Sequence, residues 1–158
     1  MPNYCENELK VRGTKEEALT FVKKAKGEKG AFSFSSLYPA PKSLFDVTAG
    51  SRENFYEIMY TKIPEALLKH MRNDGIEMPS REDALAYQAK LWNVDPKKAM
   101  EIANKLKHNI DCHGHLTWYT WCIENWGTKW DVENMSQLLS SKDITLRGKK
   151  TWSLLYLF

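Results

Sequence analysis

The sequence predicts an α+β fold, an antiparallel sheet with helices on one side and a helical insertion between its strands. Three observations predict it. Apolar residues alternate along the chain at Leu9 and Val11, at Phe32 and Phe34, and again at Tyr119, Trp121 and Ile123, as they do along half-buried strands. Between Ser51 and Ile110 the apolar period lengthens to about 3.6, that of a helix. At 158 residues and 42% hydrophobic content the chain is long enough for one well-buried core. A single domain over 1–158 follows, with 1–41 and 115–158 forming the sheet and 51–110 the helical insertion.

Tyr4 to Val11 reads as the first strand, broken by Gly13-Thr14. Thr14 is placed to cap a helix that has Glu16 and Glu17 in its first turn and Ala18, Phe21, Val22 and Ala25 as its apolar stripe. Gly27 is expected to end that helix in the left-handed conformation. Ala31 to Leu37 alternates as a second strand and stops at Tyr38-Pro-Ala-Pro41. Three helices follow. Pro64 opens one that runs toward Gly75, Ser80 with Asp83 caps the second, and Asp95-Pro96 starts the third. Leu116 to Ile123 returns to strand character, Val132 to Leu139 suits a short helix, and Ile144 to Phe158 reads as a hairpin turning at Gly148-Lys149.

The charge balance is mild, 23 Lys and Arg against 20 Asp and Glu, and the densest basic group, Lys23 to Lys29, reads as the wet side of a helix. Cys5, Cys112 and Cys122 cannot all pair within one chain, and the N-terminus has no secretory pattern. A reduced, cytoplasmic location is expected. No apolar run approaches the ~20 residues that span a bilayer, so no membrane partner is expected.

The most unusual stretch is His115 to Trp130, which holds Trp118, Trp121, Trp126 and Trp130. Read as a strand, it is apolar or neutral on both faces, which suits a central strand or one with a face kept for a partner.

Three stretches carry a resemblance. Met1-Pro-Asn-Tyr-Cys-Glu-Asn-Glu-Leu-Lys-Val-Arg-Gly13, Phe32-Ser-Phe34 to Leu37-Tyr-Pro39-Ala-Pro41, and Cys122-Ile-Glu-Asn-Trp-Gly-Thr-Lys-Trp130 resemble phage- and plasmid-borne proteins of the YubB type. The resemblance implies a ferredoxin-like sheet and a mobile-element setting, without an assigned function. It covers both ends of the chain and leaves the helical middle variable. In such proteins the strand corresponding to Thr151–Phe158 continues into a further helix and strand, so the ferredoxin-like unit here is expected to be C-terminally incomplete. The open edge would then be covered by the insertion or by a second copy in a homodimer.

No catalytic signature stands out, and the chain is read as a non-enzyme without cofactors. Asp111-Cys112-His113-Gly-His115 with Cys122 supplies zinc-type donors, but not at the paired spacings of structural sites, so no metal is expected. The flanking tryptophans favour a buried, unreactive Cys122. There is no phosphate-cradling glycine motif. Asn125, Trp126 and Gly127, with Asn3 and Asn7 near the first strand, are expected to shape loops.

Two binding roles remain. The first is a protein-binding accessory role against a host protein complex, such as inhibition of host defence of the anti-CRISPR kind, with Arg52, Tyr56, Arg72, Arg81 and Lys90 of the insertion as the contact surface. The alternative is single-stranded nucleic-acid binding on an aromatic sheet face by Trp118, Trp121 and Trp130, with Lys129 and Arg147 toward phosphates.

Overall fold

Helix caps organise most of this chain. The computed structural model describes residues 8–28, 30–132, 136–146 and 149–157, and they cluster into two units, Met1–Pro39 with Thr128–Phe158, and Ala40–Gly127.

In the first unit, strand β1 (Glu8–Gly13) leads into helix α1 (Lys15–Ala25). Thr14 caps α1 reciprocally: its hydroxyl accepts from the Glu17 N–H, and its own N–H donates to the Glu17 carboxylate at 2.8 Å. Such a box contributes about 1 kcal/mol to helix stability. Ala18, Ala25 and Phe32 form the buried centre, with Leu9, Val11, Phe21, Val22 and Val132 packed around them. Gly27 does not take the left-handed conformation expected of it, since α1 ends at an extended Lys26. Its role is close approach, because a Cβ there would lie 2.6 Å from the Cβ of Ser33.

The expected strand over 31–37 is a correction. Ser33 caps a single helical turn, α2 (Phe34–Leu37), and Asp131 holds the start of that turn. Its carboxylate accepts from the Ser33 hydroxyl at 2.6 Å and the Phe34 N–H at 2.7 Å. Alternation of Phe and Ser suggested a strand, but the serines serve as cap and hydrogen-bond donors rather than as a solvated face. Strands β2 (Ser136–Leu146) and β3 (Lys149–Leu157) pair antiparallel, and β3 also pairs with β1, Val11 opposite Leu154. The order β1-β3-β2 places β3 in the middle, with both edges hydrogen-bonded, so the open edge expected at 151–158 is not found. The helix expected over 132–139 is likewise replaced, from Ser136 onward, by β2.

The second unit is helical. Its segments are the 3-10 turns Lys42–Phe45 and Ser51–Glu53, the short α3 (Asn54–Tyr56) running into a π-helical turn (Glu57–Thr61), α4 (Glu65–Asn73), α5 (Arg81–Leu91), α6 (Pro96–His113) and α7 (Trp118–Trp126). The three helices expected between Pro64 and Ile110 are α4, α5 and α6, bounded by the expected caps at Ser80 and Asp95 and by Gly75. Phe55, Ile58, Leu67, Met71, Leu85 and Leu106 are at the centre of the core. A smaller cluster of Leu44, Trp121 and Cys122 seats α7.

Two buried polar groups fix the entry to α7. The Asn109 amide donates to the carbonyls of Ser43 (3.3 Å) and Leu116 (2.9 Å), and the Thr117 hydroxyl donates to Glu53 at 2.9 Å.

The chain is therefore mostly helical, and the ferredoxin-like α+β sheet with helices on one side is overturned. The decisive segment is 118–126. It was read as a central strand because Trp, Tyr and Thr favour strands. Instead Trp121 and Cys122, adjacent on one helical face, bury against Leu44, and Gly127 ends the helix at φ 75°. Apolar residues on both faces of the supposed strand were the trace of a 3.6-residue period.

The caps carry a pH dependence. The Thr14 N–H and then its hydroxyl hold Glu17 below the usual carboxylate range, and the Ser80 hydroxyl and N–H do the same for Asp83. Carboxylates depressed in the folded state stabilise it above their unfolded pKa of about 4, and that contribution is lost as pH falls through the folded value. The stability lost in a Thr14→Ala/Ser80→Ala variant, measured by urea unfolding, should thus be larger at about pH 6 than at about pH 3. Equal losses at both pH values would show that the carboxylates take no part.

Candidate functional site

Two consecutive helix ends build an open apolar concavity in the helical unit. At the end of α4, Asp74 is the cap and Gly75 adopts φ 84°. The Gly75 N–H donates to the Arg72 carbonyl and the Ile76 N–H reaches back to the Met71 carbonyl at 2.9 Å, the double hydrogen bond of a Schellman turn. The end of α5 repeats it. Asn93 takes the left-handed position at φ 52°, its N–H donates to the Lys90 carbonyl, and the Val94 N–H donates to the Ala89 carbonyl at 2.8 Å. Asparagine tolerates this conformation better than other non-glycine residues.

Each turn projects its following residue, Ile76 or Val94, into the lining of the same groove. Ala86 and Tyr87 of α5 and Pro96 of α6 complete its apolar part, and Asp83, Lys90, Asn93 and Asp95 its polar part, around about 870 Å³. Large apolar side chains are exposed in the same segments: Met78, two residues after Ile76, is 95% exposed and Leu91, one turn beyond Tyr87, is 57% exposed. The Tyr87 hydroxyl donates to Asp74 at 2.6 Å, and that bond to a carboxylate raises the phenol's pKa. Asp95 accepts the N–H groups of Lys97 and Lys98 as the cap of α6.

The residues expected to contact a partner do not form one surface. Arg81 is turned inward, its guanidinium donating to the carbonyls of Ile58 and Thr61, both at 2.7 Å, where the π-helical turn ends. Arg72 pairs with Glu65 at 3.0 Å on α4. Tyr56 is half-buried, 5.6 Å from the Tyr60 ring, whose hydroxyl donates to Asn104. Arg52 lines a separate crevice of about 130 Å³ with Asp46, Lys98, Glu101 and Lys105. Of the set, Lys90 lies on the groove. Ile76, Met78, Leu91 and Val94 were missed, although Gly75-Ile76 and Asn93-Val94 carry the signal of a left-handed residue followed by an apolar one after a helix.

The aromatic residues are likewise dispersed. Trp121 is buried in the α7 cluster, 5.7 Å from the Trp126 ring, and Trp118 stacks on Phe45 with ring planes 2° apart. Both lie on a helix, so the aromatic sheet face proposed for nucleic acid does not exist there. Trp130 is 45% exposed with the Lys129 ammonium 4.1 Å from its ring centre. Asn125 donates to the Trp121 carbonyl within α7, and Gly127 ends that helix. Asn3, Asn7 and Arg147 lie outside the described residues.

The zinc-type donors are spread over separate partners. Cys112 Sγ is 3.6 Å from His108 Nδ1, His113 Nε2 is 3.1 Å from the Ser43 hydroxyl, His115 pairs with Glu124 at 3.3 Å, and Cys122 is buried. Among the described residues no three His, Cys, Asp or Glu side chains converge as a metal site, and no helix is long and apolar enough to cross a membrane.

No family model, curated protein or solved structure matches this chain.

Proposed function

We propose that this is a non-enzymatic, cytoplasmic protein that acts by docking a host protein complex on its helical unit. The observation that carries the reading is the groove between α5 and the start of α6, with exposed Ile76 in its lining and exposed Met78 and Leu91 close in sequence to lining residues. A monomer seldom leaves large apolar side chains uncovered around a concavity unless something binds there. Two polar lining groups have structural partners, the Asp83 carboxylate in the cap of α5 and the Tyr87 hydroxyl on Asp74. In the mobile-element setting that the resemblance to YubB-type proteins implies, docking such a complex would serve to inhibit host defence.

Tagged full-length chain expressed in bacteria and purified with and without nuclease tests the reading. A stoichiometric protein partner that survives nuclease is expected. Recovery of many unrelated proteins that disappear with nuclease would replace it with nucleic-acid binding.

A further inference from the structure

The charge around the groove is one-sided. Asp83 and Asp95 line it against the single ammonium of Lys90. Asp74 adds a third carboxylate through its bond to the Tyr87 hydroxyl. Glu77, between Ile76 and Met78, and Glu82, one turn before Ala86, are exposed alongside. Of the neighbouring cations, Arg81 is committed to the Ile58 and Thr61 carbonyls and Arg72 to Glu65, while the exposed Lys97 and Lys98 follow Pro96 in the first turn of α6.

We propose that the groove binds a basic amphipathic segment of the partner protein, a chemistry opposite to that expected of a contact surface built on Arg52, Arg72 and Arg81. The inference rests on the protein-binding reading and names the chemistry of its partner. Apolar side chains of the segment cover Ile76, Ala86, Val94 and Leu91, and its Lys or Arg residues face Asp83, Asp95 and Glu77. An apolar groove with a charged rim receives an amphipathic helix in this way, the apolar contacts giving affinity and the rim choosing the partner. An acidic segment, or a phosphate backbone, would instead meet a lining in which carboxylates outnumber ammonium groups.

The test uses the full chain and a fluorescein-labelled peptide of about 14 Leu and Lys residues with leucines at helical spacing. Fluorescence anisotropy should show saturable one-to-one binding, about tenfold tighter than for a scrambled peptide of the same composition, and weaker with added salt. Glu77→Lys/Glu82→Lys should weaken binding by about tenfold, and Lys90→Glu should tighten it, with far-UV circular dichroism unchanged in both. All three side chains are exposed, and opposite signs separate a groove effect from a folding defect, which would weaken both variants. Equal binding of the scrambled peptide, no saturation, or variants that bind alike would overturn the inference. A nuclease-resistant partner indifferent to the charge variants would sink the groove while leaving protein binding intact. Peptide binding as expected without any copurifying partner would do the reverse.

Discussion

Replacing Phe55 with alanine should lower the free energy of unfolding by about 3–5 kcal/mol, the cost of emptying a fully buried aromatic site. Phe55 has no solvent exposure, lies in the core with Ile58, Met71 and Leu106, and has its ring centre 5.3 Å from that of Trp92. The loss combines the transfer free energy of the ring with the cavity left behind, and α3 is too short to collapse into that cavity by itself. Urea unfolding followed by far-UV circular dichroism measures it. Phe45→Ala provides the contrast. That ring is 54% exposed and should cost under about 1 kcal/mol even with its stacking on Trp118 lost. Similar losses in the two variants would mean that the core is not where Phe55 lies.

Asn109→Leu should cost about 2–3 kcal/mol although it adds apolar volume to a buried position. The side chain is 1% exposed, and its amide serves two carbonyls from different segments, Ser43 ahead of the core helices and Leu116 ahead of α7. Leucine keeps the bulk and removes both donors, so two carbonyls lose their partner in a place where water does not easily replace it. Thermal unfolding of Asn109→Leu beside Lys105→Leu, an exposed position on the same helix, reads the difference. A neutral Asn109→Leu would show that those carbonyls find other donors.

Local signals and long-range packing divided this chain along a physical line. Thr14 with Glu17, Ser80 with Asp83, and Asp95 with Pro96 were legible because a cap is settled within three residues of sequence. Ala31 to Leu37 and Leu116 to Ile123 were misread for one reason. Short aromatic runs satisfy both a period of two and a period of 3.6, and what decides between them is the partner: Asp131 for Ser33 and Phe34, Leu44 for Trp121 and Cys122. Val132 to Leu139 suited a short helix, yet Leu139 belongs to β2, opposite Leu154 of β3.

The site was less legible than the helices that hold it. Lys90 was singled out, but its groove depends on how α4, the α5 turns and α6 converge, and no spacing within one segment reports that. Arg81 illustrates the reverse case. Its sequence neighbourhood reads as an exposed first turn, and only the approach of the π-helical turn draws its guanidinium to the carbonyls of Ile58 and Thr61.

The sequence by itself determined the capped helices α1, α4, α5 and α6 and the absence of a span-length apolar helix among the described residues, since both depend on residues near one another in the chain. The tertiary structure alone decided that the tryptophan segment is a helix seated on Leu44, and that the exposed concavity is apolar with an acidic rim. Burial and charge sums are properties of surfaces that distant segments make together, so they appear only once those segments have met.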